Sequence, residues 1–361
     1  MRSAELSGVV SCRVPGKINL DLSVGPLRED GYHELSTVFH AVSIYDRVSV
    51  QPAESWSVHV TGPYADRVPT DDTNLALVAA KTLARRRPRG MRLTPVRIDI
   101  DKQIPVAGGM AGGSADAAGA LVACRELWGL DHVENDVLEQ VAAGLGSDVP
   151  FLLHGGTAIG SGRGEQITPV LARGELHWVL WAGEGLGLST PEVYAECDRL
   201  RAESGEEVPA PEPSGDLMTG LRRMDADSVA EHLRNDLQDA AISLQPVLAD
   251  VLAAGLDLGA RAGIVSGSGP TVAFLVGSQT QAIDLSVGLA ANGPKGDILR
   301  AIGPAPGAQL VQTRMTPPPG PSGGPGGPGG PGGLAGPSSS GHDPKEGPVP
   351  SPTGPTGPVP G

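Results

Sequence analysis

Residues 105–118 read P-V-A-G-G-M-A-G-G-S-A-D-A-A, with Gly108, Gly109, Gly112 and Gly113 inside six positions. Val96, Ile98 and Ile100 alternate with polar residues just upstream, and a run of small residues follows. This pattern predicts a strand, a glycine turn and a helix from Ser114 onward. Backbone without side chains can bring its N–H groups close to an anion, and the positive end of the next helix points at the same spot. The stretch therefore reads either as a polyphosphate cradle or as a tight packing corner. No lysine follows Gly113, so it is not G-x-x-x-x-G-K-[ST], and it is not G-x-G-x-x-G. A nucleotide held here takes its lysine from elsewhere in the chain.

Upstream, Ile18, Leu20, Leu22 and Val24 alternate with Lys17, Asn19, Asp21 and Ser23. Period two predicts a half-buried strand over 12–24, with Lys17, Asn19 and Asp21 on one polar face. Asp30-Gly31 marks a turn, with Tyr32 and His33 just beyond it. These two side chains either fill a half-buried corner or stack on and hydrogen-bond a planar base. Strands are expected over 46–51 and 56–60. Thr70, Asp71, Asp72 and Thr73 supply caps for a helix through Asn74 to about Arg87. Arg85, Arg86, Arg87 and Arg89 end that helix, either answering its dipole at solvent or forming a local anion site.

Downstream, a further helix is expected over 133–145. Asp148 then precedes an apolar run and a second glycine-rich patch, 155–165. It reads either as an N-cap or as a reactive carboxylate. A strand over 176–181, a helix opening at Ser189-Thr190-Pro191 and an acidic, Pro-rich loop over 200–215 come next. Helices are expected over 225–244 and 246–256. A third glycine motif, residues 263–276, runs into a strand, and a helix (279–291) and a strand (308–314) close the series. The elements alternate without a regular βαβ series, which favours an α+β fold.

The formal charge of −14 argues against nucleic acid, which needs a basic face. Cys12, Cys124 and Cys197 are odd in number and lack metal-ligand spacing, as suits a reducing cytoplasm. No apolar run reaches transmembrane length and no signal-peptide pattern opens the chain, so no membrane partner is expected. Residues 317–361 hold 15 Gly and 15 Pro in 45 positions, a composition that cannot bury a core and predicts disorder.

V-P-G-K-I-N-L (residues 14–20), the 105–118 loop and V-S-G-S-G-P-T-V (265–272) together resemble the GHMP small-molecule kinase superfamily. R-E-D-G-Y-H-E-L-S-T-V-F (28–39) and G-S-D-V-P-F-L-L-H-G-G-T-A-I-G-S-G-R-G-E (146–165) narrow the resemblance to kinases of the non-mevalonate isoprenoid pathway. Those kinases use ATP and Mg²⁺ to phosphorylate the 2-hydroxyl of a cytidine-diphosphate sugar alcohol. The resemblance implies a two-lobed fold with the active site in the cleft, an N-terminal lobe over 8–165 with the ATP-binding glycine loop and a C-terminal lobe over 166–315. A disordered tail, 316–361, completes the expected organisation. The protein is expected to be a cytoplasmic monomer or homodimer.

By the same resemblance, Lys17 orients the acceptor hydroxyl and the γ-phosphate, and Asp148 takes the hydroxyl proton. Pro105, Val106, Ala107, Gly108, Gly109, Met110, Ala111, Gly112, Gly113, Ser114 and Ala115 cradle ATP, with Lys102 and Asn74 as further nucleotide contacts. Asn19, Tyr32, His33, Thr190 and Tyr194 bind the acceptor, and residues 267–271 line the cleft. No metal ligand is assigned. Gly16 stands for a usual alanine, Ala115 for a second serine and Ala111 for a glycine. If position 111 needs positive φ, alanine there costs about 1 kcal/mol. The competing readings are a GHMP kinase of a smaller alcohol, of homoserine or mevalonate type, and a non-catalytic nucleotide-binding protein. Tyr32, His33, Thr190 and Tyr194 argue against the first, and Lys17 with Asp148 against the second.

Overall fold

The alternation at 12–24 belongs to a longer strand, β1 (Val10–Leu27), paired antiparallel with β2 (His33–Pro52). The structure is a computed structural model describing residues 8–311, apart from Asp30, Pro88, Arg89, Ala107, Asp131, His132, Glu134, Glu184, Leu186 and Glu206. The expectations for the tail, Ala107, Arg89 and the Asp30 turn lie outside the described residues. β1 is not half-buried as expected, because residues 14–25 are all covered, polar positions included. The register shifts between Asn19 and Asp21. A bulge of this kind re-aims side chains. It separates Asp21 from Lys17 and Asn19, and the Asp21 carboxylate instead accepts from Ser214 N–H at 3.0 Å and Arg234 Nε at 3.2 Å.

β2 runs well upstream of the expected 46–51, because a central strand buried on both faces shows no alternation to read. Its neighbours are β4 (Val96–Asp101) and β5 (Thr157–Gly162), and β3 (Ser57–Thr61) lies parallel outside β4. β5 and β6 (Gln166–Pro169) form a hairpin across the expected lobe boundary at 165. The short β8 (Arg234–Asn235) and β12 (Gln309–Val311) also join β1. Against this sheet pack α1 (Leu75–Arg85), α2 (Gly112–Leu127), α3 (Asn135–Leu145) and α4 (Asp148–His154).

The second sheet has the order β11-β7-β10-β9, with β7 (Leu176–Gly183), β9 (Ala262–Val265), β10 (Val272–Val276) and β11 (Gly296–Gly303). Trp178, Leu180, Ala273 and Leu275 face the core shared with the first sheet. Val179, Trp181, Val272 and Phe274 face a second core under α5 (Thr190–Ser204), α8 (Gln238–Leu244), α9 (Val247–Asp257) and α10 (Gln279–Asn292). The α+β class holds. The single helix expected over 225–244 is instead α7 (Ala226–Ala230), β8 and α8, preceded by α6 (Gly215–Arg223). Asn235 breaks it: its amide donates to the Val265 and Gly267 carbonyls at 2.8 Å each and accepts from Leu237 N–H. Tertiary hydrogen bonds outweigh a helix propensity worth only tenths of a kcal/mol per residue. α5 continues to Ser204, into the stretch expected to be loop.

Candidate active site

The glycine loop serves two purposes at different residues. Gly108 and Gly109 pack: Thr271 N–H donates to the Gly108 carbonyl, Ser266 Oγ donates to the Gly109 carbonyl, and a Cβ on Gly109 would collide with the Ser266 carbonyl oxygen. Gly113 faces open space, with nothing within 4 Å of where its Cβ would sit. Ala111 caps α2 in the left-handed conformation, φ 58°, so the anticipated cost of alanine at this position is incurred. α2 begins two residues before the expected Ser114, at Gly112. The first intrahelical bond comes from Ala115 N–H, leaving the amides of residues 112–114 for an outside acceptor.

These amides open onto a cavity of about 480 Å³. Among its lining residues are Lys17, Asn19, Gly108, Gly109, Ala111, Gly112, Gly113, Ser114, Asp148, Thr190, Tyr194 and residues 267–269. Met110 and Ala115 are fully buried and hold the loop from below. Pro105, Val106, Pro270 and Thr271 line a separate small hollow with Tyr64 and Asp297. Asn74 caps α1, its Oδ1 accepting from Ala76 and Leu77 N–H and its Nδ2 donating to the Pro69 carbonyl. Lys102 is 1 % exposed beneath the loop. The expected nucleotide contacts at Asn74 and Lys102 are thus corrected to scaffolding, since both heads are spent on protein partners.

Lys17 is buried on β1, and its Nζ donates to Asn19 Oδ1 at 2.7 Å and lies 3.8 Å from Asp148 Oδ2. Asn19 Nδ2 donates to Thr37 Oγ1, whose hydroxyl donates to the Asp21 carbonyl, so the amide oxygen can only face Lys17. Phe39 supplies an aromatic face 5.6 Å from the ammonium. Burial pulls the Lys17 pKa below the usual lysine range, and the Asp148 charge opposes that shift. Asp148 is the first residue of α4 rather than its cap: Ser147 holds that position, without a side-chain capping bond. The capping alternative for Asp148 is therefore set aside.

Of the residues expected on the acceptor side, Thr190 and Tyr194 line the cavity from α5, and Thr190 Oγ1 sits 3.0 Å from Ser268 Oγ. His33 lies behind Tyr194, stacked at 5.2 Å and held by Asp198 at 3.0 Å. Tyr32 is half out in solvent, with the Arg163 guanidinium 5.1 Å above its ring. Burial pushes the Tyr194 hydroxyl up, and the nearby Asp148 adds to this. Sequence reasoning missed Thr37, Phe39, Arg163 and Asn235. The first two sit in a strand segment without alternation, and the last was read as helix.

A cleft holding a glycine loop, an exposed helix N-terminus and a buried lysine facing a partly exposed aspartate has the parts of a phosphotransferase acting on small molecules. Residues 74–156 match the GHMP kinases N terminal domain and residues 217–295 the GHMP kinases C terminal domain. The 4-diphosphocytidyl-2-C-methyl-D-erythritol kinase of Mycolicibacterium gilvum is 52% identical over 314 residues, covering 86% of this chain and 95% of its own. The kinase of that name from Rhodococcus jostii is 53% identical over 303 residues, covering 84% and 95%. A crystal structure of 4-(cytidine 5'-diphospho)-2C-methyl-D-erythritol kinase superposes with TM-score 0.65 at 33% identity, covering 81% of this chain and 99% of that one. The homoserine kinase of Cytophaga hutchinsonii, at 18% identity and TM-score 0.62 over 86% of this chain and 99% of its own, shares the fold. The chain belongs to the GHMP kinases, ATP-dependent small-molecule kinases, in their 4-diphosphocytidyl-2-C-methyl-D-erythritol kinase family.

Proposed function

We propose that this protein transfers the γ-phosphate of ATP to the 2-hydroxyl of 4-diphosphocytidyl-2-C-methyl-D-erythritol in the non-mevalonate isoprenoid pathway. The observation that carries the reading is the meeting of Lys17 and Asp148 at 3.8 Å in a cavity also lined by the glycine loop. Phosphoryl transfer needs positioning and charge stabilisation more than covalent chemistry. The amides of residues 112–114 and the α2 N-terminus take the β- and γ-phosphate oxygens. Lys17 meets the charge developing between donor and acceptor, with Asn19 fixing its head. Asp148 accepts the proton of the acceptor hydroxyl. Tyr194 and Thr190 hold the cytidine end, with His33 and Asp198 bracing Tyr194 from behind.

A Mg²⁺ ion fits the site as a passenger on the phosphates, since such ions keep waters and use few protein ligands. Asp148 and Ser114 are among the oxygen-bearing residues that line the cavity together with Gly113. When bound, the ion neutralises phosphate charge. Among the described residues, no single helix is long and apolar enough to cross a membrane, and the three cysteines are free and buried. Both features accord with the cytoplasm as the place of action.

The assay that tests the function is ATP-dependent phosphorylation of the diphosphocytidyl alcohol beside homoserine, mevalonate and galactose. Turnover confined to the first supports the reading, and preference for a small alcohol overturns it. Gly113→Val tests the cradle separately. A β-branched side chain fits the open space at Gly113 but occupies the phosphate position. The expected result is a folded protein with raised KM for ATP and lowered kcat. Unchanged ATP kinetics place the nucleotide elsewhere. His33→Ala removes the ring behind Tyr194 and is expected to raise KM for the acceptor about 5- to 100-fold, with ATP kinetics nearly unchanged. Equal loss for both substrates assigns His33 to the hairpin instead.

A further inference from the structure

Beneath the glycine loop lies a charged cluster that the steps above do not use. Lys102 Nζ donates to Asp46 Oδ2 at 2.7 Å, Asp116 Oδ2 at 2.6 Å and the Gly112 carbonyl at 2.7 Å. All three ammonium protons are thereby placed. Asp46 Oδ1 accepts from Gln103 N–H at 2.6 Å and Ile104 N–H at 2.9 Å. Asp116 Oδ1 is buried without a partner, and its carboxyl lies within hydrogen-bonding reach of Asp46. Asp46 is 0 %, Lys102 1 % and Asp116 2 % exposed.

Two carboxylates and one ammonium leave a net negative charge, and a buried uncompensated charge is costly. One proton shared between the carboxyls removes it. We infer that Asp46, Lys102 and Asp116 form a proton-holding pin, in which Lys102 acts as a positioning residue that sets the first turn of α2 through the Gly112 carbonyl. The inference rests on the reading that this turn holds ATP phosphates. Losing the proton puts a negative charge directly under the amides that receive them.

Burial pushes Asp116 up to about 8, with Lys102 opposing and Asp46 adding. Burial likewise raises Asp46 against the pull of Lys102. For Lys102, burial pulls down, but the two carboxylates outweigh it and the net direction is up. The ammonium therefore stays charged while one carboxyl keeps its proton at neutral pH. That proton leaves as pH rises through about 8, so ATP binding weakens on the alkaline side. Of the other charged groups on packed elements, Lys81 of α1 pairs with Asp72 at the surface. Lys17 of β1 and Asp148 of α4 face each other in the cavity.

The test is the pH dependence of KM for ATP, KM for the acceptor and kcat in the full chain and in Asp116→Asn. Asparagine supplies the donor that the protonated acid supplies, without a charge to lose. Between about pH 7.5 and pH 9.5, KM for ATP in the unaltered protein is expected to rise about tenfold or more, with acceptor KM within about twofold. Asp116→Asn is expected to match it at the lower pH and to rise clearly less toward pH 9.5. Lys17 titrates in both proteins and so drops out of the comparison. Identical profiles, or a flat profile in the unaltered protein, overturn the inference. A calorimetric readout does not depend on Asp116→Asn folding: a non-hydrolysable ATP analogue binding to Lys17→Met near pH 8.5 should take up a fraction of a proton. No uptake overturns the pin. If Gly113→Val leaves ATP kinetics unchanged, the loop reading itself fails; a Gly113→Val defect with identical pH profiles removes the pin alone.

Discussion

Asp148→Asn is expected to lower kcat by about 10²–10⁴ while leaving the melting temperature nearly unchanged. The amide keeps the carboxylate's shape but cannot accept a proton. Asp148 is the first residue of α4, behind Ser147, and its side chain is 30% exposed, so the substitution removes no buried bond and no cap. A capping role would have predicted near-normal turnover, because asparagine caps about as well as aspartate. The pair with Lys17 is loose, at 3.8 Å, and open to water on the Asp148 side, which limits the stability lost with it. Steady-state kinetics beside a thermal melt decide the matter. Near-normal kcat in Asp148→Asn sends the proton by another route and overturns the assignment.

Lys17→Met is expected to cost about 10²–10³ in kcat, the scale found when one preorganised donor to developing charge is removed. Methionine conserves length and fills the space beside Phe39. Burial already lowers the Lys17 pKa, so the folded protein bears a cost for keeping this ammonium charged at neutral pH. That cost shrinks as pH rises through the lowered value, and it vanishes in the methionine variant. The melting temperature at neutral pH is therefore expected to hold or rise, against the fall a purely structural lysine would give. The double variant with Asp148→Asn is expected to lose less than the product of the single effects, because the two groups act on one proton and one phosphate. Multiplicative losses would show that they work independently.

Several elements were legible because their signals are local. The helices α1 and α9, the strands β4 and β7 and the helix opening at Ser189 announce themselves by periodicity and caps. The first half of β2 did not, since burial on both faces erases the polar–apolar alternation. The β5–β6 hairpin hid in a glycine-rich stretch, and β8 interrupts a helical pattern only because Asn235 finds the Val265 and Gly267 carbonyls. The site residues Lys17, Asp148, Thr190 and Tyr194 were nameable through a resemblance carried by motifs. Nothing in spacing or composition places them around one cavity.

The sequence by itself determined the α+β class and the glycine loop with its following helix, each from residue types and periods within some twenty positions of chain. The candidate lysine and carboxylate came through motifs that resemble the GHMP kinases. Only the tertiary structure decided which glycines pack and which stay open, because that depends on the turn at residues 266–271 arriving from the distant end of the chain. It also separated two lysines that look alike in sequence. Lys17 reaches the cavity, whereas Lys102 is locked between Asp46 and Asp116, partners 56 and 14 positions away. A charged side chain takes its role from the charges and the dielectric around it, and long-range folding assembles both.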